Sequence, residues 1–191
     1  MDKRDTIVES ACEQLVSVGI DHMTVARVAK AARVSSALVH YHFATKQRLL
    51  AAAAAALASR HAERRVAALA VARGMSSLDD LWSSLDPRAS VERIVPDLTL
   101  LARQDRSVAA VVRRAREEEQ RRIAAVLPAL LESLGARVPI PPDEVAATVR
   151  MFLDGAAAAL VAGDPPEDVR AAYDAFWLAL VALGSAAPTA R

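Results

Sequence analysis

The chain has 191 residues, of which 53% are hydrophobic and 4% aromatic, and its formal net charge is +1. This apolar content can form a packed core, so disorder is excluded for the chain as a whole. The single cysteine, Cys12, excludes an intrachain disulfide and a cysteine-cluster zinc site, and we expect it to be a small buried hydrophobe. The N-terminus lacks an apolar signal core. No stretch of 18 residues is both apolar and free of charged side chains. We therefore expect a soluble cytoplasmic protein without a membrane span.

The small net charge hides an uneven distribution along the chain. Residues 22–62 carry six basic residues and no acidic one, whereas residues 1–21 total −3 and residues 63–191 total −2. A long block without a carboxylate favours a polyanionic partner. Chance in an alanine-rich segment explains the charge equally well, so other features of the sequence must decide.

The first 45 residues predict three short helices. Alanine-rich runs with few β-branched or aromatic residues indicate an all-α chain. Apolar residues at three- and four-residue spacing predict a helix over 5–18, which Gly19 ends. Thr24 and Ser35 are N-caps, each placed between two apolar staple residues, and begin the second and third helices. Thr45 caps a long fourth helix. Short helices joined by tight turns form a helix-turn-helix unit.

Helical periodicity continues to the C-terminus. The pattern predicts helices over 46–73, 78–85, 90–104, 107–134, 143–162 and 166–184. Within the fourth of these lies RRAREEEQRR, residues 113–122, whose opposite charges repeat at i,i+4. We expect that segment to be a solvated charged face.

The last two predicted helices carry wide apolar stripes. One pair of helices buries one face of each, so a wide stripe needs a second surface. We therefore expect a homodimer that packs these helices two against two; the alternative is that they complete a monomeric bundle. The predicted interface residues are Phe152, Ala156, Leu160, Tyr173, Trp177 and Leu180.

The third predicted helix has two different faces. One face combines small residues with polar rings: Ser36, Ala37, His40 and Tyr41. Val39 and Phe43 lie opposite and are expected in the core. Because His40 and His42 point about 200° apart on a helix, joint metal binding would need a strand, which the capping pattern disfavours. Small residues followed by longer polar rings suit a helix whose N-terminal end enters the DNA major groove.

Lys46 provides an independent argument for a DNA partner. A cation in the first turn of a helix faces the positive end of the helix dipole, which is unfavourable by about a few tenths of a kcal/mol. The position makes sense if an anion docks there, because the ammonium and the free backbone N–H groups then bind the same phosphate. Thr24 offers a similar hydroxyl and N–H pair.

The segment VARVAKAARVSSALVHYHFATKQRLL resembles the DNA-binding domain of the TetR family of bacterial transcriptional repressors. The family pattern has a Thr-capped second helix, an A-G-V-S turn, a T-L-Y-x-H-F-type recognition helix and an S-K start of the fourth helix. The matching positions are Thr24, Val28-Ala29, Ala32, Val34-Ser35, Val39, His42-Phe43 and Thr45-Lys46. The motif covers about residues 5–50, and the rest of the chain is similar only in helix order.

The resemblance implies an all-α homodimer in which an N-terminal three-helix helix-turn-helix DNA-binding domain, residues 1–47, precedes a helical ligand-binding and dimerisation domain, residues 48–191. It implies a sequence-specific repressor that binds a palindromic operator in double-stranded DNA and is released by a small-molecule effector. The predicted DNA-binding residues are Thr24, Arg33, Ser35, Ser36, Ala37, Leu38, His40, Tyr41, His42 and Lys46. The apolar candidates for an effector pocket, which would suit a hydrophobic ligand, are Trp82, Leu98, Leu101, Val112, Met151 and Phe152. No cofactor or metal is expected.

This sequence departs from the family pattern at three positions. Arg33 replaces the usual glycine, which costs about 1 kcal/mol if the backbone there is left-handed. Leu38 and His40 replace a threonine and a tyrosine.

Two other functions compete with a transcriptional regulator. An all-α enzyme is disfavoured because the sequence has no GxSxG, P-loop, HExxH or recognisable carboxylate pair. A non-specific DNA-architecture protein would leave the large C-terminal domain unexplained.

Overall fold

The structure, a computed structural model, describes residues 2–85 and 90–185. In these ranges the chain forms α-helices and no strand, which confirms the all-α prediction. The helices are α1 (Lys3–His22), α2 (Val25–Ala31), α3 (Ser36–Phe43), α4 (Lys46–Val71), α5 (Leu78–Ser83), α6 (Ser90–Ala102), α7 (Arg106–Ser133), α8 (Pro142–Ala162) and α9 (Pro166–Ser185). A 3-10 turn, Met75–Ser77, precedes α5.

The predicted end of the first helix is a break inside α1. Gly19 has φ 80° and ψ 172°, so it leaves helical geometry although α1 continues to His22. A positive φ is accessible to glycine without a Cβ clash. The prediction that Gly19 ends the first helical run is therefore confirmed.

Hydroxyl side chains begin α2, α3 and α4, as the sequence predicts. Each accepts a hydrogen bond from the backbone N–H three residues ahead, at 3.2 Å for Thr24, 3.1 Å for Ser35 and 3.2 Å for Thr45. Such a bond satisfies one of the four N–H groups that a helix start leaves without an intrahelical partner. The local sequence thus determines where all three helices begin.

The chain divides into two compact units. The first unit contains Met1–His61 and Arg93–Arg116, and the second contains Ala62–Glu92 and Glu117–Arg191. The division at residues 47 and 48, inferred from the end of the DNA-binding motif, stays a prediction.

The core of the first unit holds the three N-terminal helices together. α1 packs against α2 and α3, and the guanidinium of Arg4 lies 5.3 Å from the ring centre of Phe43. Cys12 is buried, and its thiol donates to the carbonyl of Ala53 at 3.6 Å. Burial raises the pKa of the Cys12 thiol to about 11. The prediction that Cys12 is a small buried hydrophobe is confirmed.

The core of the second unit is built around aromatic rings of α8 and α9. Tyr173 and Trp177 are fully buried, and the Tyr173 hydroxyl donates to the carbonyl of Leu78 at 2.8 Å. The rings of Phe152 and Phe176 stack with their centres 4.0 Å apart. Among the described helices, α8 alone is long and apolar enough to span a membrane by length and composition. Its buried stripe packs in this core, where apolar composition is expected.

Candidate nucleic-acid interface

The third helix presents one buried and one exposed face. Val39 and Phe43 are buried in the first unit, whereas Tyr41 is 82% exposed. The exposed face is formed by the four residues expected from the helical period: Ser36, Ala37, His40 and Tyr41. An exposed aromatic ring on a helix that is anchored from its other side is available to contact a partner.

Leu38 and His42 lie at the border between these faces, and both are half-buried. The His42 ring is 5.3 Å from the Tyr41 ring in an edge-to-face arrangement and 6.3 Å from the Phe43 ring. His42 therefore packs between an exposed ring and a core ring. This position restrains Tyr41 and leaves His42 partly accessible.

The backbone of Arg33 is left-handed, which is the conformation in which arginine is less favourable than the usual glycine. Its φ is 54°, and its side chain is exposed. The turn is closed by the N–H of Val34, which donates to the carbonyl of Ala29 at 3.0 Å. A residue with a Cβ is unfavourable here, so the sequence keeps an exposed base in a position that favours glycine.

Ala44 forms a second turn with positive φ, which the sequence does not predict. Its φ is 53° and its ψ −45°, and the N–H of Thr45 donates to the carbonyl of Phe43, which is the arrangement of a γ-turn. The turn places the Thr45 cap two residues after Phe43, the last residue of α3. Alanine carries no turn preference, so no residue type marked this position.

The start of α4 has the features of an anion site. Lys46 is the first residue of the helix and is half-buried, and Thr45 caps the N–H of Arg48. The first turn of a helix leaves N–H groups without an intrahelical partner, and Lys46 belongs to that turn. Three further exposed bases of the carboxylate-free block were not singled out by the sequence analysis: Arg27, Lys30 and Arg48.

Charge separates between the two units. The first unit carries 14 basic and seven acidic residues, and the second carries 10 basic and 16 acidic ones. The unit that contains α3 is therefore the positive one, which favours a polyanion as its partner. Within the described residues, no group of three or more His, Cys, Asp or Glu side chains could hold a metal ion.

The predicted effector-pocket residues fall in both units. Leu98 is buried and Leu101 and Val112 are half-buried in the first unit. In the second unit, Trp82 and Phe152 are half-buried and Met151 is exposed. Leu101 lines a cavity of about 360 Å³ formed by the end of α1 and by α6. The assignment of all six residues to a pocket stays a prediction.

The predicted dimer residues lie mostly inside the second unit. Tyr173, Trp177, Ala156 and Leu180 are buried within the chain, and Phe152 and Leu160 are half-buried. The same two helices expose other apolar side chains, with Met151 57% and Leu178 58% exposed. We call the exposed alanine, glycine, leucine and methionine residues of α8 and α9 the outer face: Met151, Gly155, Ala158, Ala162, Ala171, Ala172, Ala175, Leu178, Ala179, Ala182 and Leu183.

An all-α fold with hydroxyl-capped helices and an exposed third helix defines a DNA-binding protein of the helix-turn-helix class. Residues 7–53 match the family described as bacterial regulatory proteins, tetR family. The N-terminal part of the chain therefore matches the tetR family of bacterial regulatory proteins, which supports DNA binding by this segment. The resemblance seen in the sequence is thus confirmed.

Solved structures of other regulators share the fold over nearly the whole chain. A transcriptional regulator from Rhodococcus sp. Rha1 is 21% identical with a TM-score of 0.73, covering 97% of this chain and 99% of its own. A TetR transcription regulator from Haloarcula marismortui is also 21% identical with a TM-score of 0.73, covering 95% and 97%. The multidrug binding protein EbrR, complexed with imidazole, is 23% identical with a TM-score of 0.71, covering 99% and 98%. No curated protein matches the chain.

Proposed function

We propose that this protein is a cytoplasmic repressor that binds a palindromic operator as a homodimer and is released by a small-molecule effector. The observation that carries the proposal is the exposed face of α3, with Tyr41 82% exposed while Val39 and Phe43 fix the helix from behind. A surface that is rigid on one side and free on the other is suited to major-groove contact.

Each DNA-contacting residue has a role that follows from its position. Ser36 and Ala37 are short and exposed at the start of α3, so the helix backbone can approach the base edges closely. His40, Tyr41 and Leu38 then face the bases or the neighbouring sugar-phosphate chain.

Phosphate contacts would position α3 in the groove. Lys46 and the free N–H groups of α4 hold one phosphate, and Thr24 at the start of α2 offers a second polar contact. Arg33, Ser35 and His42 lie beside the same helix and complete the predicted surface.

The homodimer is supported by the outer face of α8 and α9. Exposed apolar side chains on two helices that pack together favour an interaction site, and the alanines and Gly155 there allow close helix approach. Two copies packed through this face would supply the two recognition helices that a palindrome requires. Tyr173 and Trp177 would then support the interface from beneath rather than contact the partner.

The effector is the least constrained component of the proposal. A structure with the same fold, EbrR, is a multidrug binding protein complexed with imidazole, which supports ligand binding by this chain. The apolar residues expected around the ligand favour a hydrophobic effector.

The test is operator binding measured by fluorescence anisotropy with the DNA that flanks the gene. Tyr41→Ala and Lys46→Ala should each weaken binding about tenfold, since one base or phosphate contact is lost, while size-exclusion chromatography shows an unchanged assembly. Arg137→Ala removes an exposed base of the second unit and should bind normally. Wild-type affinity in both test variants would rule out this face.

The same assay separates a regulator from a DNA-architecture protein. A regulator should bind its palindrome at least about a thousandfold more tightly than random duplex of equal length. Equal affinity for the two duplexes would instead support the architectural function.

A further inference from the structure

Four charged side chains meet inside the second unit. Arg65 of α4 is 1% exposed and Glu119 of α7 is 3% exposed, although Glu119 belongs to the segment that the sequence predicts to be solvated. Arg65 Nη1 lies 2.6 Å from Asp154 Oδ1 and 3.5 Å from Glu119 Oε1. Arg150 Nη1 lies 3.0 Å from Asp154 Oδ2. We call Arg65, Glu119, Arg150 and Asp154 the buried charge cluster.

One edge of the Arg65 guanidinium makes no hydrogen bond to the described residues. Both carboxylates approach Nη1, whereas Nε and Nη2 are buried and have no hydrogen-bond partner among the described residues. Nε and Nη2 donate on the same side of the guanidinium, so together they form the fork that binds a carboxylate through two parallel hydrogen bonds. The two oxygens of a carboxylate therefore match this unpaired edge of Arg65.

Two other atoms of the cluster also have unused hydrogen-bonding capacity. Oε1 of Glu119 and Nε of Arg150 are buried and without a hydrogen-bond partner in the described part of the chain. With Arg65 Nε and Nη2, the cluster has three donor nitrogens and one acceptor oxygen without a hydrogen bond, although that oxygen is ion-paired with Arg65 Nη1. Buried charged groups in folded proteins are normally hydrogen-bonded, so such atoms require an explanation.

Stability does not explain the cluster. Its two guanidinium groups and two carboxylates sum to zero formal charge, yet apolar side chains of similar volume would often stabilise a core position as well or better. The unpaired donor nitrogens of Arg65 instead match a ligand carboxylate, and the unpaired Oε1 of Glu119 matches a hydrogen-bond donor on the same ligand. Arg65 also lies on α4, the helix that begins at Lys46.

We propose that the Arg65 fork is the polar subsite of the effector site and takes a small organic acid that carries a hydroxyl or amino group beside its carboxylate. The carboxylate accepts from Nε and Nη2 of Arg65, and the hydroxyl or amino group donates to Glu119 Oε1. This inference rests on the proposed function, because it names the class of effector that the repressor would bind. It adds a polar head to the hydrophobic ligand expected from the sequence.

The experiment measures the melting temperature of the full chain, without DNA, in glycolate, acetate, acetamide and chloride at equal ionic strength. Glycolate supplies a carboxylate and a hydroxyl, and acetate supplies the carboxylate alone. At about ten times the dissociation constant, glycolate should raise the melting temperature by about 3–5 °C relative to chloride, and acetate by less. Acetamide and chloride should give the same value.

Variants assign the shift to the cluster. Arg65→Lys keeps a cation for Asp154 but has no fork, so both acids should lose their effect. Glu119→Met removes the acceptor oxygen at similar volume, so it should keep the acetate shift and lose the additional shift in glycolate. Arg137→Lys, an exposed control, should respond like the wild type.

Equal melting temperatures in all four solutions, or equal shifts in Arg65→Lys, would overturn the subsite. If Arg65→Lys does not fold, Glu119→Met decides, because an undiminished glycolate shift there also overturns the subsite. Operator release is measured separately by anisotropy. Acid binding without release would contradict the effector step of the proposed function and leave the subsite standing, whereas release by glycolate without any melting shift would contradict the subsite alone.

Discussion

Arg33 and Ala44 are the two non-glycine residues with positive φ in the described chain, at 54° and 53°, and they flank the recognition helix. Left-handed backbone brings a Cβ close to the neighbouring carbonyl, which costs about 1–2 kcal/mol. Arg33 was recognisable from the sequence because a glycine is usual in the family pattern. Ala44 was not, since an alanine at a helix end has no side-chain group that marks a turn.

Arg33→Gly should raise the free energy of unfolding by about 1 kcal/mol, less the added flexibility of glycine in the unfolded chain. It should also weaken operator binding if the exposed guanidinium contacts a phosphate. Urea denaturation and anisotropy at low salt measure the two effects. Ala44→Gly is the matched control, because it relieves the same backbone strain without removing a charge. Unchanged affinity of Arg33→Gly at low salt would exclude the phosphate role.

Glu119 shows where residue-level prediction fails. It is the third of three consecutive glutamates, and side chains of identical type give no local signal for which one turns inward. Its burial depends on Arg65, which lies far away in sequence and contacts it only in the folded unit. Long-range charge pairing of this kind is not visible in helical periodicity.

At the scale of elements, the helix starts could be predicted because their cause is local. Thr24, Ser35 and Thr45 each cap the helix that follows within three residues. The inward direction of α8 and α9 could not be predicted, because both sides of each helix are apolar. Periodicity identified Tyr173 as an interface residue, whereas the structure buries it in its own core and exposes Leu178.

The C-terminal end of α9 passes very close to the segment after α7. The N–H of Arg137 donates to the Gly184 carbonyl at 3.2 Å, and a Cβ on Gly184 would lie 2.8 Å from both Ala136 Cβ and Arg137 N. Gly184→Ala should therefore lower the free energy of unfolding by about 1–3 kcal/mol through overpacking.

Calorimetry checks this prediction with Ser185→Ala as the control, since the neighbouring exposed position has no such constraint. Equal melting temperatures for Gly184→Ala and Ser185→Ala would contradict the close approach.

For the whole molecule, the decisive question is assembly. Leu178→Glu places a carboxylate on the outer face, where burial against a second copy would leave the charge without a partner. We expect analytical ultracentrifugation to show monomers, circular dichroism to show unchanged helix content, and operator affinity to fall at least about a hundredfold, because one half-site is lost.

Val71→Glu is the control for that prediction, because Val71 is exposed on α4 and lies outside the outer face. It should remain in the same assembly as the wild type. A Leu178→Glu protein that sediments like the wild type would contradict the proposed interface.

The buried thiol of Cys12 makes local opening of the first unit measurable by thiol labelling. Burial raises the pKa of this thiol to about 11, so the reactive thiolate is scarce at neutral pH. The thiol also donates a hydrogen bond to the carbonyl of Ala53 on α4. A thiol reagent can therefore react only when α1 separates from α4. The rate at which Cys12 is labelled therefore reports how often α1 separates from α4. This rate can be compared in the absence and presence of operator and ligand.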